Sequence, residues 1–281
     1  LIALCTMLTL AAAVTPTHQR PVQGVRSVVE QQLLHWRSPR ESSAPPAFTP
    51  VELASRTRLA ELAPESSSRP VPRNDSVAAF WRSLTNGRLC VVETFMAGGC
   101  CCAITEERAS ASNMYALTDR EIVLLHRTFQ TETQKVLAAG FDLSVAAISQ
   151  LLGGALQKLG VSGRVGCTPL PIVLAALRYC GMVEVPDAYV TSLEDQGQRY
   201  VALGLPAFDS SLLPGLSLAE REVAAHHVAG ATYGQIAARR ATSPRTVANQ
   251  IASLSKKLDV HGRFDLIRYW SELQWGSAGR S

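Results

Sequence analysis

The sequence predicts a mainly helical protein with two small β-hairpins, built as two similar helical units in tandem behind a flexible N-terminal region. Three observations carry this. A long stretch, residues 216–270, shows capped helices with apolar spacing of i, i+3/i+4. The pattern of 117–164 repeats it at a constant offset of 99 residues. A short β-rich run with a glycine turn precedes each stretch.

The N-terminal 75 residues come first. Leu1 stands where a methionine is expected, so the start reads as a fragment or a misassigned initiation site. The apolar run 1–14 is too short to span a bilayer and lacks the basic segment of a signal peptide, although Ala11-Ala12-Ala13 resembles a cleavage site, which leaves an export or anchoring signal as the alternative. Within 16–37, VRSVVEQQLLHW has the spacing of a short amphipathic helix. From Ser38 to Asp75 the chain is rich in Ser, Pro and Arg, which predicts a flexible linker with one helix at 51–62.

The first unit is expected over 76–181. Val77–Leu84 reads as a helix; Arg88–Phe95 and Cys100–Thr105 read as a hairpin around Gly98-Gly99. The second unit is expected over 182–275, with Ala188–Leu193 and Gln198–Leu203 flanking a turn at Gly197. Beyond the hairpins, Leu117 aligns with Leu216, Glu121 with Glu220, Ser144 with Ser243 and Lys158-Leu159 with Lys257-Leu258. One register held over nearly fifty residues indicates a tandem duplication.

The second unit has explicit punctuation. Ser217 and Glu220 form a capping box, with Thr118 and Glu121 as counterparts. Gly230 ends the first helix in a left-handed conformation. Thr232 caps Tyr233–Arg240, which closes on Arg239 and Arg240. Ser243 caps the third helix and Pro244 sits in its first turn, where a missing amide costs nothing. Val247, Ile251, Leu254 and Leu258 pin one face of that helix to a core. The other face presents Arg245, Ala248, Asn249, Ala252, Lys256 and Lys257. A helix fits the major groove, asparagine can pair with an adenine edge, and Arg and Lys suit phosphates. Eight basic against four acidic residues in 216–270 leave four positive charges, equal to the net +4 of the chain.

These residues resemble the LuxR/NarL (GerE-type) helix-turn-helix, through LSxxEREV, AGxxxxxIA, SPRTVxNQI, KKLDV and GR. The resemblance implies a tetrahelical unit whose third helix, 244–257, enters the major groove and whose fourth supports dimers. It puts base-reading positions at Ala248, Asn249 and Ala252, and backbone contacts at Arg245, Thr246 and Lys257. Gly234 and Ala248 stand where the family commonly has lysine, which implies modest affinity and reliance on a second half-site. Around 80–164, FWRSLTNGRLCVVETF ahead of LTDRE is similar to LuxR-type regulators with a short β element before the reader. The match over 188–270 is looser.

The first unit keeps the pattern and loses the charge. Its third helix, SVAAISQLLGGALQ, has no charged residue and includes Gly153-Gly154. Each glycine costs about 1 kcal/mol of helix stability relative to alanine. Five bases against four acids over 117–164 leave one positive charge. Since DNA affinity draws on neutralised phosphates, this unit is expected to pack or dimerise. Only Lys158 and Arg164 remain for residual DNA contact.

Three adjacent cysteines, Cys100, Cys101 and Cys102, cannot share one ion on a strand whose side chains alternate. Seven cysteines without a zinc spacing read as reduced thiols in a cytoplasmic protein. No nucleotide-binding, metalloprotease or nucleophile-elbow motif occurs, so an enzyme is not expected. The expected function is a sequence-specific bacterial transcription regulator without cofactor, metal or evident small-molecule ligand. Its expected partners are double-stranded DNA, a second copy through the last helix (Phe264, Ile267, Trp270) or the first unit, and RNA polymerase. Two alternatives stand beside it: a signalling scaffold built from degenerate units, and a membrane-tethered regulator anchored by residues 1–14.

Overall fold

The computed structural model describes residues 19–35, 75–108, 114–161 and 165–276. The expected linker with its helix at 51–62, the apolar run 1–14 and Arg164 lie outside the described residues. The elements, in order, are α1 (Gln19–His35), α2 (Asp75–Thr85), β1 (Leu89–Ala97), β2 (Cys100–Glu107), α3 (Asp119–Phe129), α4 (Gln134–Phe141), α5 (Val145–Lys158) and α6 (Leu170–Tyr179). Then follow β3 (Tyr189–Asp195), β4 (Gln198–Pro206), α7 (Leu218–Val228), α8 (Tyr233–Arg239), α9 (Pro244–Leu258) and α10 (Arg263–Trp275). The class is as expected: mainly helical, with one small antiparallel sheet.

Both hairpins close through two-residue loops with both residues at positive φ: Gly98 (55°) with Gly99 (76°), and Gln196 (50°) with Gly197 (76°). That conformation matches the twist of the flanking strands. The hairpins, expected one per unit, join into a single sheet of order β1-β2-β4-β3. The seam is the antiparallel β2–β4 ladder, in which Ile104 faces Ala202. Each is the fifth residue of its strand. At the offset of 99, Ala103 corresponds to Ala202 and Ile104 to Leu203, and because Ala103 faces Leu203 the two pairs exchange, so the seam is two-fold between them.

Alternation along the strands supplies two apolar faces. Cys101, Ala103, Leu203 and Leu205 join the large core formed with the helices. Cys100, Cys102, Ile104, Tyr189, Tyr200 and Ala202 point the other way, where Val25, Val29 and Leu33 of α1 cover them. The helix expected from VRSVVEQQLLHW is therefore a structural layer as well as a local feature. Arg26 fastens it, with Nη1 donating to Glu93 Oε1 at 2.6 Å. The cysteine run follows the same alternation, and all three side chains are buried. Burial pushes the Cys102 thiol up to about 12, so it stays protonated.

Each helical unit hangs from its hairpin by the same length of chain. α3 starts at Asp119, twelve positions after β2 ends at Glu107; α7 starts at Leu218, twelve after β4 ends at Pro206. The caps Thr118, Thr133 and Ser144 recur 99 residues on as Ser217, Thr232 and Ser243. Both capping boxes form. One continuous core runs through α2 to α10 and takes in both units.

Candidate nucleic-acid interface

α7, α8 and α9 place the predicted residues. Ser217 caps α7 by accepting from the amide of Glu220, and Glu220 Oε2 accepts from the Ser217 amide at 2.8 Å. Ile236 and Ala237 bury α8 against this helix. The link between α8 and α9 turns at Ala241, with φ of 47°. Ser243 accepts from the Thr246 amide at 3.0 Å and opens α9. Val247, Ile251, Leu254 and Leu258 are all buried, as their spacing predicts.

That packing turns the opposite face of α9 outward. Arg245, Thr246, Asn249, Ala252, Lys256 and Lys257 are exposed, and Ala248 is partly buried. Among the described residues, Arg245 and Lys256 make no ion pair. They lie at opposite ends of α9 with Asn249 between them, an arrangement with phosphate-seeking charge outside and an amide at the centre.

Two of the expected contact residues are held by carboxylates within the fold. Lys257 Nζ donates to Glu220 Oε2 at 2.7 Å, and its side chain is 42% exposed. Ser253 Oγ donates to the other carboxylate oxygen at 2.8 Å. The Lys257 bond, then the Ser217 amide and the Ser253 hydroxyl, hold the Glu220 carboxyl down to about 2. This buried carboxylate ties α9 to the start of α7. Arg240, expected at an open helix end, has a side chain only 13% exposed. Its Nε donates to Glu222 Oε2 at 3.0 Å and its Nη1 to Gln250 Oε1 at 2.6 Å, bracing α8 between α7 and α9. Arg239 stays exposed, with Nη1 at 3.4 Å from His226 Nδ1.

Arg263, which the sequence reading counted only among the basic residues of 216–270, is a buried clamp. It is 5% exposed. Nε and Nη2 donate to the Val228 carbonyl at 3.1 and 2.6 Å, and Nη1 to the Gly166 carbonyl at 2.9 Å. It thus joins the second unit to the first. Burial lowers it to about 10. The neighbouring His227 is lowered to about 4, chiefly by burial and then by the Arg263 charge. A Gly-Arg pair before an amphipathic helix is the only sequence signal, and it does not separate a clamp from a surface base.

The last helix, expected to offer Phe264, Ile267 and Trp270 to a second copy, is occupied within the chain. Ile267 and Trp270 are fully buried. Phe264 meets Phe129 of the first unit edge-on at 5.2 Å. On the first unit, the face of α5 matching that of α9 is also open: Ala146, Ser149, Gln150, Gly153 and Gln157 are exposed and uncharged. Lys158 is partly buried and bonded to Glu121 at 2.8 Å.

The tight turn into α9, its outward cationic face and its apolar inner face define a helix-turn-helix unit. Residues 214–270 match the family described as bacterial regulatory proteins, luxR family. The chain therefore carries a LuxR-type helix-turn-helix domain, a domain of DNA-binding transcription regulators and not of an enzyme class. No curated protein matches the chain, and no solved structure does. Among the described residues, no group of His, Cys, Asp or Glu is placed to hold a metal ion. No single described helix is long and apolar enough to cross a membrane.

Proposed function

We propose that the chain is a sequence-specific transcription regulator that reads DNA with α9 in the major groove. Asn249, flanked by Ala248 and Ala252, faces base edges, where its amide can pair with adenine. Arg245, Thr246, Lys256 and Arg239 contact phosphates. Lys257 and Arg240 act mainly on geometry, because their charges are already met by Glu220 and Glu222. The observation that carries this reading is the open face of α9, with Arg245, Asn249 and Lys256 all exposed on a helix held from behind.

We further propose that the first unit, residues 76–181, is a degenerate copy of the second, 182–275. The shared offset of caps, the repeated Lys–Glu bond and the two-fold seam support this. Selection of bound duplexes from random DNA, followed by competition against unselected DNA, tests the function. A preferred sequence bound at least a thousand-fold more tightly fits a specific regulator. Equal binding to every duplex contradicts it.

A further inference from the structure

A unit that pairs through its last helix needs an apolar surface there, and here most of that surface is covered, with Leu273 the large apolar side chain left exposed on α10. Trp270 and Ile267 are sealed in the core, and Phe264 lies on Phe129. Arg263 spans the joint, bonding to Val228 on one side and Gly166 on the other. At Gly230 the joint is close enough that a Cβ would come within 2.9 Å of the Cys167 carbonyl oxygen.

The joint also has the signature of a symmetric dimer interface, in which the same patch is used twice. The pairs Ala103–Leu203 and Ile104–Ala202 exchange under the offset of 99. α2 and α6 each lead into a hairpin and pack on one another. The charge does not follow this symmetry. Where α9 shows Arg245, Asn249, Ala252 and Lys256, α5 shows Ala146, Gln150, Gly153 and Gln157, equally exposed.

From these observations we propose that the first unit serves as a built-in partner for the second. One chain then reads one half-site of duplex DNA, with no second copy, and its target is not a palindrome. This rests on the proposed DNA reading by α9. A pair of equal reading helices demands inverted half-sites about one helical turn apart. A body with one cationic reading helix and one neutral helix demands a single half-site, because the neutral face releases no counterions.

The test is selection of bound duplexes by the full chain, followed by mass measurement of the complex with the selected duplex across protein concentrations. The expected result is one motif shorter than a helical turn, without inverted symmetry, bound by one chain with a Hill coefficient of about 1. Inverted half-sites about 10 base pairs apart, filled by two chains, overturn the built-in partner and leave the DNA reading intact. Absence of any selected motif overturns both. A second variant keeps the result independent of folding defects. Leu273→Ser removes the exposed apolar side chain of α10 without touching the joint and is expected to leave motif and stoichiometry unchanged, whereas loss of duplex binding in a chain that melts like the native one overturns the proposal.

Discussion

Lys257 donates to Glu220 across 2.7 Å, and 99 positions earlier Lys158 makes the same bond to Glu121 across 2.8 Å. The bond thus occurs in the unit that has the cationic face and in the unit that lacks it. Its common role is to lock the third helix of each unit to the first. Lys256, one position away from Lys257, has no such partner among the described residues. The two neighbouring lysines should therefore behave differently. Lys256→Ala is expected to lower the salt slope of DNA binding by about 1 and leave thermal stability within about 0.5 kcal/mol. Lys257→Ala is expected to lower stability, since it leaves a buried carboxylate unpaired, and to change the salt slope less. Paired salt titrations and melting curves check this; equal slopes lost by both variants would contradict it.

Asn249 offers a complementary test because it carries no charge. Asn249→Ala is expected to weaken binding to the preferred duplex by about 1–3 kcal/mol while leaving random duplex and the salt slope unchanged. A uniform loss on all sequences would place Asn249 on the backbone instead. Competition binding at fixed ionic strength makes the comparison.

Acid should destabilise the fold in two steps. His227 is lowered from 6.5 to about 4, so the unfolded chain takes its proton first. Stability is full above pH 6.5 and falls as pH drops towards 4, by roughly 3 kcal/mol in all. Glu220 is lowered from 4.5 to about 2; its contribution is full above pH 4.5 and is lost as pH falls through about 2. Urea midpoints from pH 8 to 4 should decline for the native chain. His227→Leu should flatten that limb and Glu220→Gln should not, which separates the two groups.

Thr131 and Gly230 occupy matching positions, both at positive φ, 74° and 93°. A β-branched residue is strained there and glycine is not. Thr131→Gly is expected to stabilise the protein by about 1 kcal/mol. Gly230→Thr is expected to cost more than that, because strain is joined by the contact with the Cys167 carbonyl. Chemical denaturation measures both, and a destabilised Thr131→Gly would contradict the argument.

Removing the clamp at Arg263 should cost about 2 kcal/mol. Its loss leaves the buried Val228 carbonyl without its donors, at about 1–3 kcal/mol, while the carbonyl of the exposed Gly166 can turn to water. Arg263→Met, which keeps the stem, is the suitable variant. An unchanged melting point would mean that the joint does not depend on this bond.

Much of the helical architecture was legible because caps and apolar spacing are local. Ser217 with Glu220, Ser243 with Pro244 and the Val247–Leu258 stripe occupy the places their chemistry requires. The hairpins were legible from glycine turns, but their union was not, since strand alternation tells which face is apolar and not which strand pairs with which. For the same reason the docking of Val25, Val29 and Leu33 on the cysteine strand went unforeseen. At the interface, exposure of Arg245, Asn249 and Lys256 followed from helical phase. The fates of Arg240 and Arg263 did not, because their partners lie 18 and 97 residues away. Helical phase places a side chain on a face, and only the tertiary fold decides whether that face meets solvent.

The most direct measurement is the salt dependence of binding by the full chain to a selected duplex and to a random one. The account predicts tighter binding to the selected duplex at every salt concentration and a steep slope. Arg245→Ala and Lys256→Ala should each reduce that slope by about 1. Equal affinity for both duplexes, or a slope that neither variant changes, would contradict it.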